Sequence, residues 1–155
     1  MALISPSDQE KLREAFAEMT RPVRLLFFTQ TFGCETCPET RQILDELPPL
    51  SDRITIEEVN LVLDAGKANE YGIDRAPAVA ITYGNGSSAS SPAGESAWMD
   101  SRVRFLGAPA GYEFISLIQA ILLAGGRSPR LSERSQKRLA AVTQPVVMQV
   151  FTTPT

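Results

Sequence analysis

The apolar positions of this chain change period along its length, and each period predicts an element. Leu12, Ala15, Phe16 and Met19 recur at helical spacing, with Ser7 and Glu10 set as a capping box ahead of them. VRLLFFT, residues 23–29, is a short unbroken apolar run with no helix cap and predicts a buried strand. A helix follows from Cys34 to about Leu47, with Ile43, Leu44 and Leu47 inward, and Pro48-Pro49 stops it. RITIEEVNL, 53–61, alternates as a second strand, and DAGKANEYG predicts a short helix ended by Gly72. APAVAITY and RVRFLG predict the third and fourth strands. Between them the Gly/Ser-rich residues 84–101 form an insertion expected to be a flexible hairpin tip. PAGYEFISLIQAILLAGG predicts a strong helix with Phe114, Leu117, Ile118, Ile121 and Leu122 inward and two glycines at its end. After Gly126 the pattern restarts, with SERSQKRLAAV as a helix and PVVMQVF as another buried strand.

The order is strand, helix, strand, helix, strand, strand, helix, preceded by one extra helix. A βαβ unit followed by a hairpin and a helix is a small α/β architecture, a mixed four-stranded sheet flanked by helices. The 155 residues suit one well-packed domain with room for an appendage. Hydrophobic residues make up 43% and charged residues 21%, ordinary for a globular protein. The net charge of −3 offers no basic face for nucleic acid. No apolar run approaches the ~20 residues of a membrane span. The start turns charged within a few residues, so no secretory signal is expected and a cytoplasmic location follows. A lone structural disulfide would be unusual there.

Two absences narrow the chemistry further. The chain has no histidine, which removes Cys-His and Ser-His nucleophile pairs and every His-ligated metal site. It has only two cysteines, so one chain cannot build a four-thiolate zinc site. Both lie in TFGCETCPET, as Cys34-Glu35-Thr36-Cys37. A thiol reacts as its thiolate, and a Cys-X-X-Cys pair at a helix N-terminus has its pKa lowered from ~8.5 to roughly 3.5–7.5. Cys34 is expected at the helix opening, facing unpaired amides and the positive end of the helix dipole, with Cys37 one turn inside. That spacing brings both sulfurs within disulfide reach, and Pro38 fits the first turn. Cys34 would attack a substrate disulfide and Cys37 would resolve the mixed disulfide. The Glu35 carboxylate opposes ionisation of Cys34, which predicts a couple on the reducing side. The alternatives for the pair are half of a zinc site completed by a dimer, or two buried thiols without a role.

The order of elements resembles the thioredoxin fold, and DRAPAV sharpens the likeness by placing Pro77 just before the third strand. Thioredoxin-fold proteins carry a cis-proline at that place, beside the two sulfurs. The resemblance implies that Ala76 presents its backbone to an extended substrate peptide, with Pro77 shaping that site. More specifically, LISPSDQEKLREAF, CETC, YGIDRAPA, FLGAPAGYEF and VFTTPT resemble the glutaredoxin-like protein disulfide oxidoreductases of thermophilic archaea and bacteria. Those proteins are two thioredoxin-fold units in tandem, each with its own Cys-X-X-Cys. The resemblance implies an active unit over 1–126, interrupted by the insertion. Residues 127–155 would be the connecting helix and first strand of an incomplete second unit, a stub whose unpaired apolar strand lies against its own domain or makes a homodimer.

The resulting expectation is a thiol–disulfide oxidoreductase acting on protein disulfides, with no cofactor or metal beyond its own disulfide. A flavin-dependent disulfide reductase or a peroxiredoxin is the implied partner. The alternatives are an electron-relay module to such a partner and a non-catalytic interaction domain. The acid expected on the strand before the motif is missing from LLFFTQ, so Glu57 or Glu58 is the candidate proton acceptor. Glu46 reads as a surface charge. Phe32 reads as core or as a rim of the substrate groove, and Trp98 as a contact point or a loop anchor.

Overall fold

The computed structural model describes residues 3–85 and 98–153. The first helix, α1, spans Pro6–Ala17, and β1 follows at Val23–Thr29. The motif helix α2 is Cys37–Asp45, with a single 3-10 turn at Pro48–Leu50. Then come β2 (Ile54–Asn60), α3 (Ala65–Glu70), β3 (Ala78–Gly84), β4 (Trp98–Leu106), α4 (Tyr112–Ala124) and α5 (Glu133–Ala140). The sheet order is β2-β1-β3-β4. β1 runs parallel to β2 and antiparallel to β3, and β3 pairs antiparallel with β4. The expected mixed four-stranded α/β sheet is therefore present.

Strand parity divides the core into two layers. Val23, Leu25 and Phe27 of β1 join Ile54, Val79 and Ile81 on one face, packed under Phe16 of α1, Leu44 of α2 and Leu117 and Ile121 of α4. Leu26 and Phe28 join Val59, Ala78 and Ala80 on the other face, covered by Ala68 of α3 and by Ile73. β1 is apolar on both faces because both are covered.

The helix ends differ from expectation in informative ways. The N-cap of α1 is Ser5, not Ser7, and its partner is Asp8 in place of Glu10. Pro6 explains the shift, since its fixed φ and missing N–H suit the first helical position. The Asp8 amide donates to the Ser5 hydroxyl at 3.2 Å, and that hydroxyl donates to the Asp8 carboxylate at 2.7 Å. These bonds and Lys11 hold the Asp8 carboxyl below its ordinary value.

The insertion is shorter than expected. Gly84 belongs to β3, and residues 98–101 belong to β4, with Trp98 paired to Gly84. Residues 86–97, the rest of the expected flexible tip, lie outside the described residues. β4 is an edge strand, and its pairing with β3 shifts register between Ala80 and Thr82. Arg102 sits there at φ 64°, its amide donating to Asp100 at 2.8 Å. Such a bulge twists an edge away from intermolecular pairing. The Arg104 guanidinium holds the Asp100 carboxyl below its ordinary value, against the opposing pull of burial.

The expected C-terminal strand is not formed. α5 has its Ser132 cap but buries no residue. Residues 146–151 form no strand, and their apolar side chains are 68% to 89% exposed. A strand needs a paired neighbour and a covered face, and neither sheet edge supplies one here. Met148 and Val150 instead face Arg104, Phe105 and Tyr112 across a cleft.

Candidate active site

The motif lies where β1 hands over to α2. Gly33 has φ +72° immediately before Cys34, and a Cβ there would meet only Gln30 Nε2 at 3.5 Å. The left-handed backbone, not a lack of space, calls for glycine. Cys34 precedes the helix and does not open it. The N-cap is Thr36, and Cys37 is the first helical residue. The two cysteines form a disulfide with Cα atoms 5.4 Å apart. They differ in access. Cys37 is 5% exposed within the core, whereas Cys34 is only partly buried.

The antiparallel register places Ala78, the first residue of β3, opposite Phe28 near the end of β1. Pro77 therefore stands at the same end of the sheet as the motif. The Ala76–Pro77 peptide bond is cis. The Pro77 carbonyl accepts from the Gly107 amide at 2.9 Å, tying this turn to the end of β4. Ala76, like Cys34, packs against the core cluster that contains Cys37.

The two candidate acids separate. Glu57 is paired with Leu26 in the register and so faces the α3 side, away from Cys37. It is held there by Arg24 at 2.9 Å and by Lys67. Arg24 in turn stacks over Trp98 at 4.7 Å, which makes Trp98 an anchor of the sheet and not an exposed contact. Glu57 is thus an ion-pair partner, because strand parity turns it from the sulfurs. Glu58 pairs with Phe27 on the motif side and meets Arg41, one helical turn beyond Cys37.

Glu46 is more than a surface charge. Its carboxylate accepts the Leu3 amide and, at 2.9 Å, the Ile4 amide, clamping the N-terminal segment to the end of the motif helix. Phe32 is 86% exposed beside the motif, and Val62 and Leu63, at the end of the neighbouring β2, are 71% and 83% exposed. The last two were not legible as site residues, since only the parallel pairing brings their loop to the same end of the sheet. An apolar groove of about 700 Å³ lies between α1, α2 and α4 and includes neither cysteine. Among the described residues no group of three or more His, Cys, Asp or Glu is placed to hold a metal ion. No helix among them is long and apolar enough to cross a membrane.

No protein-family model matches the chain. A probable thioredoxin from Methanothermobacter thermautotrophicus is 33% identical over 86 residues, covering 55% of this chain and 80% of that protein. Among solved structures, the NTD_N/C domain of alkylhydroperoxide reductase AhpF from Enterococcus faecalis superposes with TM-score 0.75 at 26% identity, covering 91% of this chain and 62% of that one. A protein disulfide oxidoreductase from Aeropyrum pernix superposes with TM-score 0.68 at 24% identity over 88% of this chain and 54% of that one, a likeness of fold. The chain spans less than two thirds of either solved structure. With that curated relative matched over most of its length and a Cys-X-X-Cys disulfide between β1 and α2, the chain belongs to the thioredoxin family, as a thioredoxin-fold disulfide oxidoreductase.

Proposed function

We propose that the chain reduces or exchanges disulfides of protein substrates, with Cys34 as nucleophile and Cys37 as resolving thiol. The observation that carries this reading is their unequal burial: Cys34 is partly exposed, whereas Cys37 is 5% exposed within the core. In the reducing direction the Cys34 thiolate attacks one substrate sulfur. A Cys34 mixed disulfide forms, and the other substrate sulfur leaves as a thiolate and takes a proton. Cys37 then loses its proton and attacks the Cys34 sulfur, releasing the second substrate thiolate. The chain ends with the Cys34–Cys37 disulfide, the state of this structure. A dithiol donor returns it to the reduced form. Ala76 and Pro77 border the place where an extended substrate segment would lie, and exposed Phe32, Val62 and Leu63 suit apolar client surface. Glu58 is the carboxylate that could take the Cys37 proton through water, as it shares the motif helix's side of the sheet.

Residues 1–126 carry this redox unit. Residues 127–155 are proposed to lead toward a second unit of the same kind, whose packing would cover the exposed side chains of 146–151. The location we propose is the cytoplasm, where such a couple cycles through its dithiol form.

The test is dithiothreitol-driven reduction of insulin by the chain, Cys34→Ser and Cys37→Ser. Acceleration by the unaltered chain and its loss in Cys34→Ser support the proposal. Equal, uncatalysed rates in all three reject general reductase activity. A second reading, an electron relay serving a peroxiredoxin or a flavin-dependent disulfide reductase, draws on the likeness to the Enterococcus faecalis reductase domain. A relay reduces one dedicated partner far faster than insulin.

A further inference from the structure

Thr40 lies one turn beyond Thr36 on α2 and is completely buried. Its hydroxyl donates to the Thr36 carbonyl at 2.8 Å, and its own amide donates to the same carbonyl at 3.0 Å. Thr36 is the N-cap, and its carbonyl belongs to the peptide unit that carries the Cys37 amide. A planar trans peptide points its N–H opposite its C=O. Two donors drawing this carbonyl down the helix therefore aim the Cys37 N–H out of the N-terminus, toward the loop that carries Cys34. Few other amides can do so. The first residues of a helix have N–H groups without helical partners, but residue 38 is a proline and offers none.

Resting on the reading that Cys34 is the nucleophile, we propose that Thr40 is a positioning residue for the redox couple. Its hydroxyl fixes and polarises the Thr36–Cys37 peptide, so that the Cys37 amide stabilises the Cys34 thiolate once the disulfide is reduced. A hydrogen bond accepted by a carbonyl strengthens donation by the N–H of the same peptide. An oriented amide at a helix N-terminus lowers a thiol's pKa. The hydroxyl is bonded to the Thr36 carbonyl and acts through this peptide.

The experiment is the pH profile of Cys34 alkylation by iodoacetamide in the reduced chain, compared with Thr40→Val and Thr40→Ser. Valine keeps the shape and removes the donor, while serine keeps the donor. The expected result is a Cys34 pKa below the ordinary ~8.5 in the unaltered chain. It should rise by about 0.5 unit in Thr40→Val and return in Thr40→Ser. An unchanged pKa in Thr40→Val, with only its melting temperature lowered, overturns the inference, because the threonine would then merely satisfy its own buried hydroxyl. If Thr40→Val does not fold, Thr40→Ala carries the same comparison. An ordinary pKa in the unaltered chain contradicts the functional reading itself, an outcome distinct from loss of the Thr40 effect alone.

Discussion

Replacing Glu57 by glutamine separates a structural carboxylate from a catalytic one. In the fold Glu57 is shared by Arg24 and Lys67, whose side chains are only 13% and 17% exposed, while its own is 35% exposed. Removing one member of a fully buried pair costs about 3–5 kcal/mol, and breaking an exposed pair about 0–1 kcal/mol. The partial exposure of Glu57 places the expected loss between these limits, at about 2 kcal/mol. Arg24 keeps its contact with Trp98, which limits the damage. For a chain of this size about 2 kcal/mol lowers Tm by roughly 4–8 °C. The assay is urea unfolding with a parallel insulin-reduction rate. The midpoint should fall with the slope m unchanged, and the rate at a temperature where both proteins are folded should stay within about twofold of the unaltered chain. Removing a working general base would cost about 100-fold or more. A Glu57→Gln chain of unchanged stability and strongly reduced rate would refute the placement of Glu57 on the face away from the sulfurs.

Two further outcomes follow from named contacts. Glu46→Gln weakens the clamp on the Leu3 and Ile4 amides, with an expected cost of about 1 kcal/mol. Hydrogen exchange should show faster opening of residues 3–5 with α2 still protected. Asp100 has its pKa lowered by Arg104, so its stabilising contribution is present above the unfolded carboxylate value of about 3.9. That contribution is lost as pH falls through the lower folded value. Asp100→Asn should reduce stability at pH 7 and flatten the acid limb of the stability profile below about pH 4, measured by urea midpoints across pH.

Much of the fold was legible because burial writes period into the sequence. The apolar run of 23–29 gave β1 to the residue, and the helical spacing of Leu117, Ile118, Ile121 and Leu122 gave the buried face of α4. The cysteine pair was legible from its spacing and from its place after a buried strand. What was missed depends on partners that a one-dimensional pattern does not contain. Alternation identified β2 but not which face would meet α2, so Glu57 and Glu58 could not be told apart. The bonds of Glu46 reach more than forty residues back to Leu3 and Ile4. The anchor at Trp98 is an arginine stacked on an aromatic ring, which leaves no periodic trace. Residues 146–151 have the composition of a strand, yet neither sheet edge pairs with them.

The proposed couple has Cys34 attacking and Cys37 resolving. Its most direct test is to incubate reduced Cys37→Ser and reduced Cys34→Ser separately with oxidised insulin, quench in acid, and weigh the intact products by mass spectrometry. The expected result is a lasting mixed disulfide on Cys34 in the Cys37→Ser chain and little or none on Cys37, which is 5% exposed, in the Cys34→Ser chain. Equal trapping on both cysteines, or trapping on Cys37 alone, would contradict it.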